Sequence, residues 1–308
     1  MTDTALEIKE LEKSFGDYKA VEQLSISIKR GEIFSLLGPN GAGKTTTINL
    51  ITGFMEADRG TIEIGGVPFT GKGPLTGMIG VCTQEKQLWP LMTCEEQLQF
   101  IGNLNRMDRK TIKKRSTMLL ESVGLEDKRN VLAKKLSGGM QRRLHIIMSV
   151  IHDPEIIILD EPEAGLDPQS RVLVREFIQS LAESKTVLLT THNMDEAERM
   201  SSRVAVMDKG KVLICDTPDM LRRKIAPEET LEIIFNHPIK PTNKLDSPAY
   251  TAQFDDRTII ITGNRLTDSV QTILGKLNSL YGNPLTFSLR QSTLEDVFIK
   301  LTGRSLRE

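Results

Sequence analysis

Residues 38–46 read GPNGAGKTT, a complete match to the spacing G-x-x-x-x-G-K-[ST]. Glycines at these places let backbone N–H groups curl around a phosphate, and a helix starting here aims its positive end at it. Lys44 is placed to reach the β- and γ-phosphates of a nucleotide, and the Thr45 hydroxyl to ligate Mg²⁺. Gly38, Pro39, Asn40, Gly41, Ala42, Gly43, Lys44, Thr45 and Thr46 are therefore the candidate phosphate-binding residues. A second group follows at 156–161, IIILDE, where an apolar run ends in two carboxylates. Two adjacent acids there are costly to bury unless a cation or a reacting water uses them. Asp160 suits the Mg²⁺ shell, and Glu161 suits a general base for the attacking water. His192 closes another apolar run, 186–191, and is a candidate γ-phosphate contact. Ser137-Gly138-Gly139, within LSGGMQRR, puts a hydroxyl and two glycines at a helix start, a second anion site of the same physical type. Both sites can face one nucleotide if the fold joins them within one chain or if two chains share it. The residues alone leave that choice open, and leave Gln84, after the apolar run 78–82, as an ordinary loop glutamine.

The elements that must position these groups are legible around them. Residues 5–11 and 24–28 alternate apolar and polar side chains, as half-buried strands do. Residues 32–37 run straight into the glycine loop and 44–54 continue as a helix, the strand–loop–helix context the motif requires. Gly65-Gly66 marks a turn between short strands. From about 94 to 135 the pattern is helical and highly charged, and an apolar helix follows LSGGM to about 151. Residues 155–159 and 186–191 read as buried strands, with shorter ones at 203–207 and 212–215. Asp167-Pro168 opens the helix between the two buried strands as cap and first turn. Strands apolar throughout that alternate with helices argue for a largely parallel sheet covered on both faces.

Composition shifts near Ala226-Pro227. The remainder reads as a small α+β unit with strands at 231–235, 258–262 and 286–289, a helix at 267–280, and a last helix. Ser292-Thr293-Leu294-Glu295 fits a capping box for that helix, and Leu294, Val297, Phe298 and Leu301 form one stripe. The chain is thus expected to divide into 1–225 and 226–308.

Bulk properties narrow the class. With 308 residues, two domains are the natural prior, and 39% hydrophobic with 26% charged residues is the composition of a soluble globular chain. A net charge of −1, from 40 basic and 41 acidic residues, disfavours a nucleic-acid partner. The three cysteines, Cys82, Cys94 and Cys215, have neither disulfide nor zinc spacing and read as reduced thiols. The start MTDTALEIKE does not read as a signal peptide, and no apolar run approaches the ~20 residues that span a bilayer. Any action at a membrane is therefore expected to need another chain. The basic clusters Lys113-Lys114-Arg115 and Arg222-Arg223-Lys224 read as solvated helix faces, and His145, His152 and His237 as structural or solvated.

Taken together, these motifs resemble the ATPase subunit of ATP-binding-cassette (ABC) transporters, over about residues 5–225 with every motif in order. The resemblance implies a P-loop NTPase fold: a mostly parallel sheet core, a small antiparallel β subdomain, a helical subdomain inserted at about 85–150, and here an extra C-terminal α+β domain. It implies ATP and Mg²⁺, and a head-to-tail pair of cassettes, expected to be a homodimer, sandwiching two ATP. Ser137, Gly138 and Gly139 would then bind the γ-phosphate held by the partner's phosphate loop. It also implies that Phe15, with Tyr18 as rival, stacks on adenine. Gln84 would touch Mg²⁺ and water, and Asp167, in Ala164-Gly165-Leu166-Asp167, would lie in the loop crossing the dimer interface. The ending QSTLEDVFIKLTGR at 291–304 is similar to ATPase subunits of drug, antibiotic and polysaccharide exporters of the daunorubicin-resistance type. Those pair with a separately encoded polytopic permease, so the expectation is a cytoplasmic protein held at the inner face of the membrane through that permease. The competing readings are a soluble ABC ATPase acting on ribosomes or DNA, and an importer ATPase with a regulatory tail. Glu163 departs from the threonine or serine usual in that family and is expected to add a carboxylate near the γ-phosphate.

Overall fold

The computed structural model describes residues 3–69, 77–242, 245, 247–264 and 266–303. By internal contacts the chain forms two compact units, Met1–Pro218 and Asp219–Glu308, a division seven residues before the composition shift at 225/226.

In the first unit, the strands β1 (Thr4–Phe15), β2 (Tyr18–Lys29), β4 (Arg59–Ile64) and β5 (Val67–Phe69) form an antiparallel sheet in the order β2-β1-β4-β5. The first two extend further than their apolar alternation indicates. A tight turn at Gly16, with φ of 59°, joins them into one hairpin. The main sheet comprises β3 (Ile33–Leu37), β6 (Ile79–Cys82), β7 (Ile156–Asp160), β8 (Thr186–Thr191), β9 (Arg203–Asp208) and β10 (Lys211–Asp216). Its order is β10-β9-β3-β8-β7-β6, and every pairing is parallel except β10 with β9. Strands β3, β7 and β8 are buried at every residue, as parallel strands covered on both faces must be. Because these strands are parallel, the residues just past Leu37, Cys82, Asp160 and Thr191 all emerge at one edge. That edge is where ligands collect in open α/β sheets.

Helix α1 (Lys44–Ile51) follows β3 directly. Between β6 and β7 the chain inserts α2 (Cys94–Leu104), α3 (Arg109–Ser122) and α4 (Gly138–Val150). Thr93 and Glu96 cap α2 reciprocally, Asp108 caps α3 and Ser137 caps α4, so each start is specified locally. Arg115 is not simply solvated: its Nε and Nη2 donate to the carbonyls of Ile151 and Val150 at 2.7 and 2.9 Å, at the end of α4. Helices α5 (Pro168–Ala182) and α6 (Met194–Met200) follow β7 and β8, and α7 (Pro218–Ile225) straddles the boundary between the units.

The second unit is a four-stranded antiparallel sheet, β12-β13-β11-β14, built from β11 (Glu228–Ile234), β12 (Tyr250–Asp255), β13 (Thr258–Asn264) and β14 (Thr286–Arg290). Helix α8 (Leu266–Tyr281) covers it, with Leu231, Ile233, Ile259, Ile261, Ile273 and Leu277 buried in the core between. Strand β12 was not legible in the sequence. It is an edge strand with no fully buried residue, so YTAQFD carries too weak an alternation. The last helix, α9 (Leu294–Thr302), has a capping box displaced by one residue from the expected pair. Thr293 is the cap and Asp296 its partner, in place of Ser292 and Glu295. Arg304, the end of the exporter-like stretch, lies outside the described residues.

Candidate functional site

The glycine loop leaves β3 and enters α1 through Gly43, at φ of 100°, where an added Cβ would lie 2.3 Å from the Ala20 carbonyl. Only glycine fits there, so the helix start is brought to the sheet edge by backbone alone. Lys44 is buried, and its Nζ donates to the carbonyls of Gly38 at 2.7 Å and Pro39 at 3.2 Å and lies 3.4 Å from Glu161 Oε1. Burial lowers the Lys44 ammonium from its ordinary range, and the Glu161 carboxylate partly offsets this. Thr45 Oγ1 donates to Asp160 Oδ2 at 3.0 Å, so hydroxyl and carboxylate stand together at the junction of α1 and β7.

The carboxyl ends of β7 and β8 complete the arrangement. Thr190 donates its hydroxyl to Asp160 Oδ1, and the Thr190 Oγ1 in turn accepts from the Glu161 N–H at 3.1 Å. His192 Nδ1 lies 2.8 Å from Glu161 Oε2, and the His192 side chain is 53% exposed while Glu161 is 6% exposed. That contrast leaves the second ring nitrogen open and the carboxylate sheltered. Glu161 itself has φ of 50°, a left-handed conformation for a non-glycine residue, which costs ~1–3 kcal/mol and persists only where the surroundings impose it.

A cavity of about 400 Å³ opens over these groups. Phe15, Tyr18, Pro39, Asn40, Gly41, Gly43, Lys44, Thr45, Thr46, Gln84 and Glu161 line it. Gly38 enters through its carbonyl, Ala42 is buried beneath the loop, and Asp160 and His192 adjoin through their bonds to Thr45 and Glu161. Tyr18 donates its hydroxyl to the Gly41 carbonyl at 3.0 Å and so braces the loop, while Phe15 is half exposed with the Lys13 ammonium over its ring, 6.0 Å from the centroid. Thr45, Asp160 and Gln84 offer a hydroxyl, a carboxylate and an amide, the hard oxygen donors that suit Mg²⁺. Among the described residues, no group of three or more His, Cys, Asp or Glu forms a metal cluster. A cation here would thus rely on one carboxylate, neutral oxygens and ligand phosphates.

The serine–glycine stretch is elsewhere. Ser137, Gly138, Gly139 and Asp167 do not line this cavity. Ser137 caps α4 by accepting from the Met140 N–H at 3.3 Å, and Asp167 caps α5 by accepting from the Ser170 N–H at 2.9 Å. The two starts touch: a Cβ on Gly139 would meet Ser170 Oγ at 2.5 Å and Asp167 Oδ2 at 3.2 Å. Ser137 and Gly138 are exposed.

Glu163 is not in the phosphate cavity. It is buried, and Arg175 donates to it twice, Nε to Oε1 at 3.3 Å and Nη2 to Oε2 at 3.1 Å. It neighbours Glu196, whose carboxyl is pushed up to about 8, first by burial and then by the nearby carboxylates Glu163 and Glu161. The Thr191 hydroxyl donates to Glu196 at 2.6 Å. Glu163, expected near the γ-phosphate, is instead a buried ion-pair partner of Arg175 that does not line the cavity. The structural reading of His145 holds: it is buried against Cys82 Sγ at 3.4 Å, and burial lowers it to about 4.

Sequence reasoning missed Arg142. Buried on α4, it donates from Nε to the Pro162 carbonyl at 3.1 Å, from Nη1 to Thr83 and Gln84 at 2.6 and 3.1 Å, and from Nη2 to Asp160 and Glu161 at 2.5 and 2.8 Å. A signal was present: Arg142 shares a helix face with Gly139 and Ile146, so a charge sits on the buried stripe.

The ABC transporter family profile matches residues 21–164. Along its length the chain is 37% identical to the Nod factor export ATP-binding protein I of Ralstonia nicotianae, over 98% of this chain and 95% of the relative. It is 33% identical to the linearmycin resistance ATP-binding protein of Bacillus subtilis, over 98% of this chain and 100% of the relative. Among solved structures it is similar to a dimeric, post-hydrolysis ATP-binding cassette bound to ADP and phosphate. The TM-score is 0.63 at 27% identity, over 69% of this chain and 98% of the other. The fold and the site define an ABC-type P-loop ATPase. The chain belongs to the family of ABC transporter ATP-binding subunits. Among the described residues, no helix is long and apolar enough to cross a membrane.

Proposed function

We propose that this chain is the ATP-hydrolysing subunit of an exporter, working as a head-to-tail homodimer that closes on two ATP and drives a separately encoded membrane permease. The carrying observation is the split between the two glycine-led helix starts. Lys44, Thr45–Asp160 and Glu161–His192 converge on one cavity, while the exposed Ser137-Gly138 start stands apart from it. A second chain, turned head to tail, supplies the missing wall. The export direction draws on the names of the relatives, Nod factor export and linearmycin resistance. The cargo class is correspondingly drug-like, lipid or polysaccharide. The protein would be cytoplasmic and held peripherally at the membrane by the permease, with 226–308 as an accessory domain and no nucleic-acid partner.

In this reading, Phe15 stacks on the adenine, and the loop N–H groups and Lys44 hold the phosphates. Thr45, Asp160 and Gln84 would hold Mg²⁺, which neutralises charge on the phosphate oxygens when bound. Glu161 takes a proton from the attacking water as the new oxygen–phosphorus bond forms and the bond to the β-phosphate oxygen breaks. His192, bonded to Glu161 through Nδ1, orients that carboxylate and turns its other nitrogen to the γ-phosphate. The partner's serine and glycines bind the γ-phosphate, and Asp167 lies at the dimer interface.

The test is turnover and capture with Glu161→Gln protein. Turnover should fall ~10²–10⁴-fold with ATP binding retained, as loss of a general base predicts. Tagged Glu161→Gln with ATP in mild detergent should bring down a polytopic membrane protein. Hydrolysis at the parent rate would remove the role of Glu161, and ribosomes or DNA-repair proteins without a membrane chain would overturn the exporter reading.

A further inference from the structure

We infer that Arg142 is a positioning residue for hydrolysis, which locks Gln84 and Glu161 into one rigid frame and joins that frame to helix α4. The inference rests on the hydrolytic reading of Glu161 and does not depend on the dimer.

A guanidinium has five N–H donors in a planar fork and no acceptor. All five bonds of Arg142 end on main-chain carbonyls, divided between two segments that follow different strands. Thr83 and Gln84 come just after β6; Asp160 ends β7, and Glu161 and Pro162 run on from it. Carbonyls at and beyond strand ends lie where the ladder runs out, and buried ones need another donor. Arg142 supplies that donor to both segments from a single rigid group.

The site shows what this holds in place. Glu161 is kept at φ of 50°, and the peptide carbonyls of Asp160 and Glu161, on either side of its Cα, both accept from Nη2. The fork therefore fixes the plane of each peptide flanking the strained residue, and with them the direction of its carboxylate. The bond to the Gln84 carbonyl fixes the loop that carries the cavity's amide. Arg142 itself lies on the helix capped by Ser137, so any displacement of α4 is carried to Gln84 and Glu161 together. Lysine has three donors on a flexible stem and cannot reproduce the fork.

The experiment compares full-length parent, Arg142→Met, Arg142→Lys and Glu161→Gln in steady-state ATPase assays, with binding of a fluorescent ATP analogue and thermal melting beside them. Arg142→Met should lose turnover by ~30–100-fold, the scale expected when reacting groups are misplaced by about an ångström, with KM and analogue affinity within about threefold of the parent. Arg142→Lys should recover only part of kcat at unchanged KM. If Met at this position prevents folding, Arg142→Lys carries the same split between kcat and KM. Parent-like kcat in either folded variant, while Glu161→Gln is inactive, overturns the inference for Arg142 alone. Losses of kcat and affinity that together track a fall in melting temperature, with lysine no better than methionine, reduce Arg142 to a structural staple and also overturn it. Parent-like activity in Glu161→Gln would instead remove the hydrolytic reading of that residue.

Discussion

Two helices of the first unit open on small residues, α1 after Gly43 and α4 after Ser137, and they behave as opposites. The start of α1 is left-handed, has no side-chain cap, and has its lysine buried among its own chain's groups. The start of α4 is an ordinary serine-capped helix whose first residues are exposed and whose second glycine presses on Ser170. One carries a lysine, a hydroxyl and a carboxylate into the phosphate cavity, and the other stands outside that cavity, with the Lys86 ammonium 3.8 Å from where a Cβ on Gly138 would lie. The difference teaches that similar sequence cues can open one helix into a cavity and another onto an exposed surface, which the proposed head-to-tail pair would bring together.

Four measurements break or sharpen this contrast. Lys44→Ala should remove the first half outright, lowering turnover at least ~10²–10³-fold, the scale of losing a preorganised charge at a phosphoryl group; an ATPase assay near parent activity would end the assignment. In the proposed dimer α4 faces the partner's nucleotide, so Gly139→Ala should lower turnover ~10-fold or more while leaving ATP affinity of the single chain intact. Adding Ser170→Gly relieves the 2.5 Å clash, so it should restore the melting temperature but not turnover. Full kinetic rescue would mean that the glycine serves packing alone.

Phe15→Ala should raise KM for ATP about five- to tenfold, the stacking energy of one base on one ring, with Phe15→Tyr close to the parent. If Tyr18→Ala shows the larger effect, adenine stacks there and the phenol's bond to Gly41 is secondary.

The smallest effect separates the halves by pH. The first is backed by the buried carboxylates Glu163 and Glu196, with the Arg175 guanidinium, the His192 imidazole and the Glu161 carboxylate as neighbouring groups. Glu196 is raised from 4.5 to about 8, so the folded state holds a proton that the unfolded chain releases above about 4.5. Its stabilising contribution is complete below that and is lost as pH rises through about 8. Glu196→Gln, which keeps the neutral form, should flatten the decline in melting temperature from pH 6 to 8.5 that the parent shows, by roughly 5 °C. A parallel decline in both proteins would show that Glu196 stays ionised.

Residue type and spacing along one segment were enough for the phosphate loop, the Asp160-Glu161 pair and His192, because each sits where an apolar strand ends, and strand ends are read locally. The same holds for the caps Ser137 and Asp167. Helix α9 shows the limit of this reading: both Ser292 and Thr293 can cap, each has an acid three residues later, and only the folded turn selected Thr293 with Asp296. Edge strand β12 lay below the threshold of pattern because nothing covers it fully.

What tertiary structure alone decided is where long side chains go. Glu163 sits two residues from Glu161 in sequence, yet its carboxylate turns to Arg175 and Glu196, because strain and direction at a strand end depend on groups from α5 and α6. Arg142 is a charge on an apolar helix until β6 and β7 bring five carbonyls to it. By itself, the sequence determined a phosphate-loop motif at the start of α1 and an acid pair at the end of β7, since those depend on backbone geometry and neighbours in the chain. Which distant groups hold that acid still was decided by the parallel order of the sheet, which sets side by side strand ends that lie far apart along the chain.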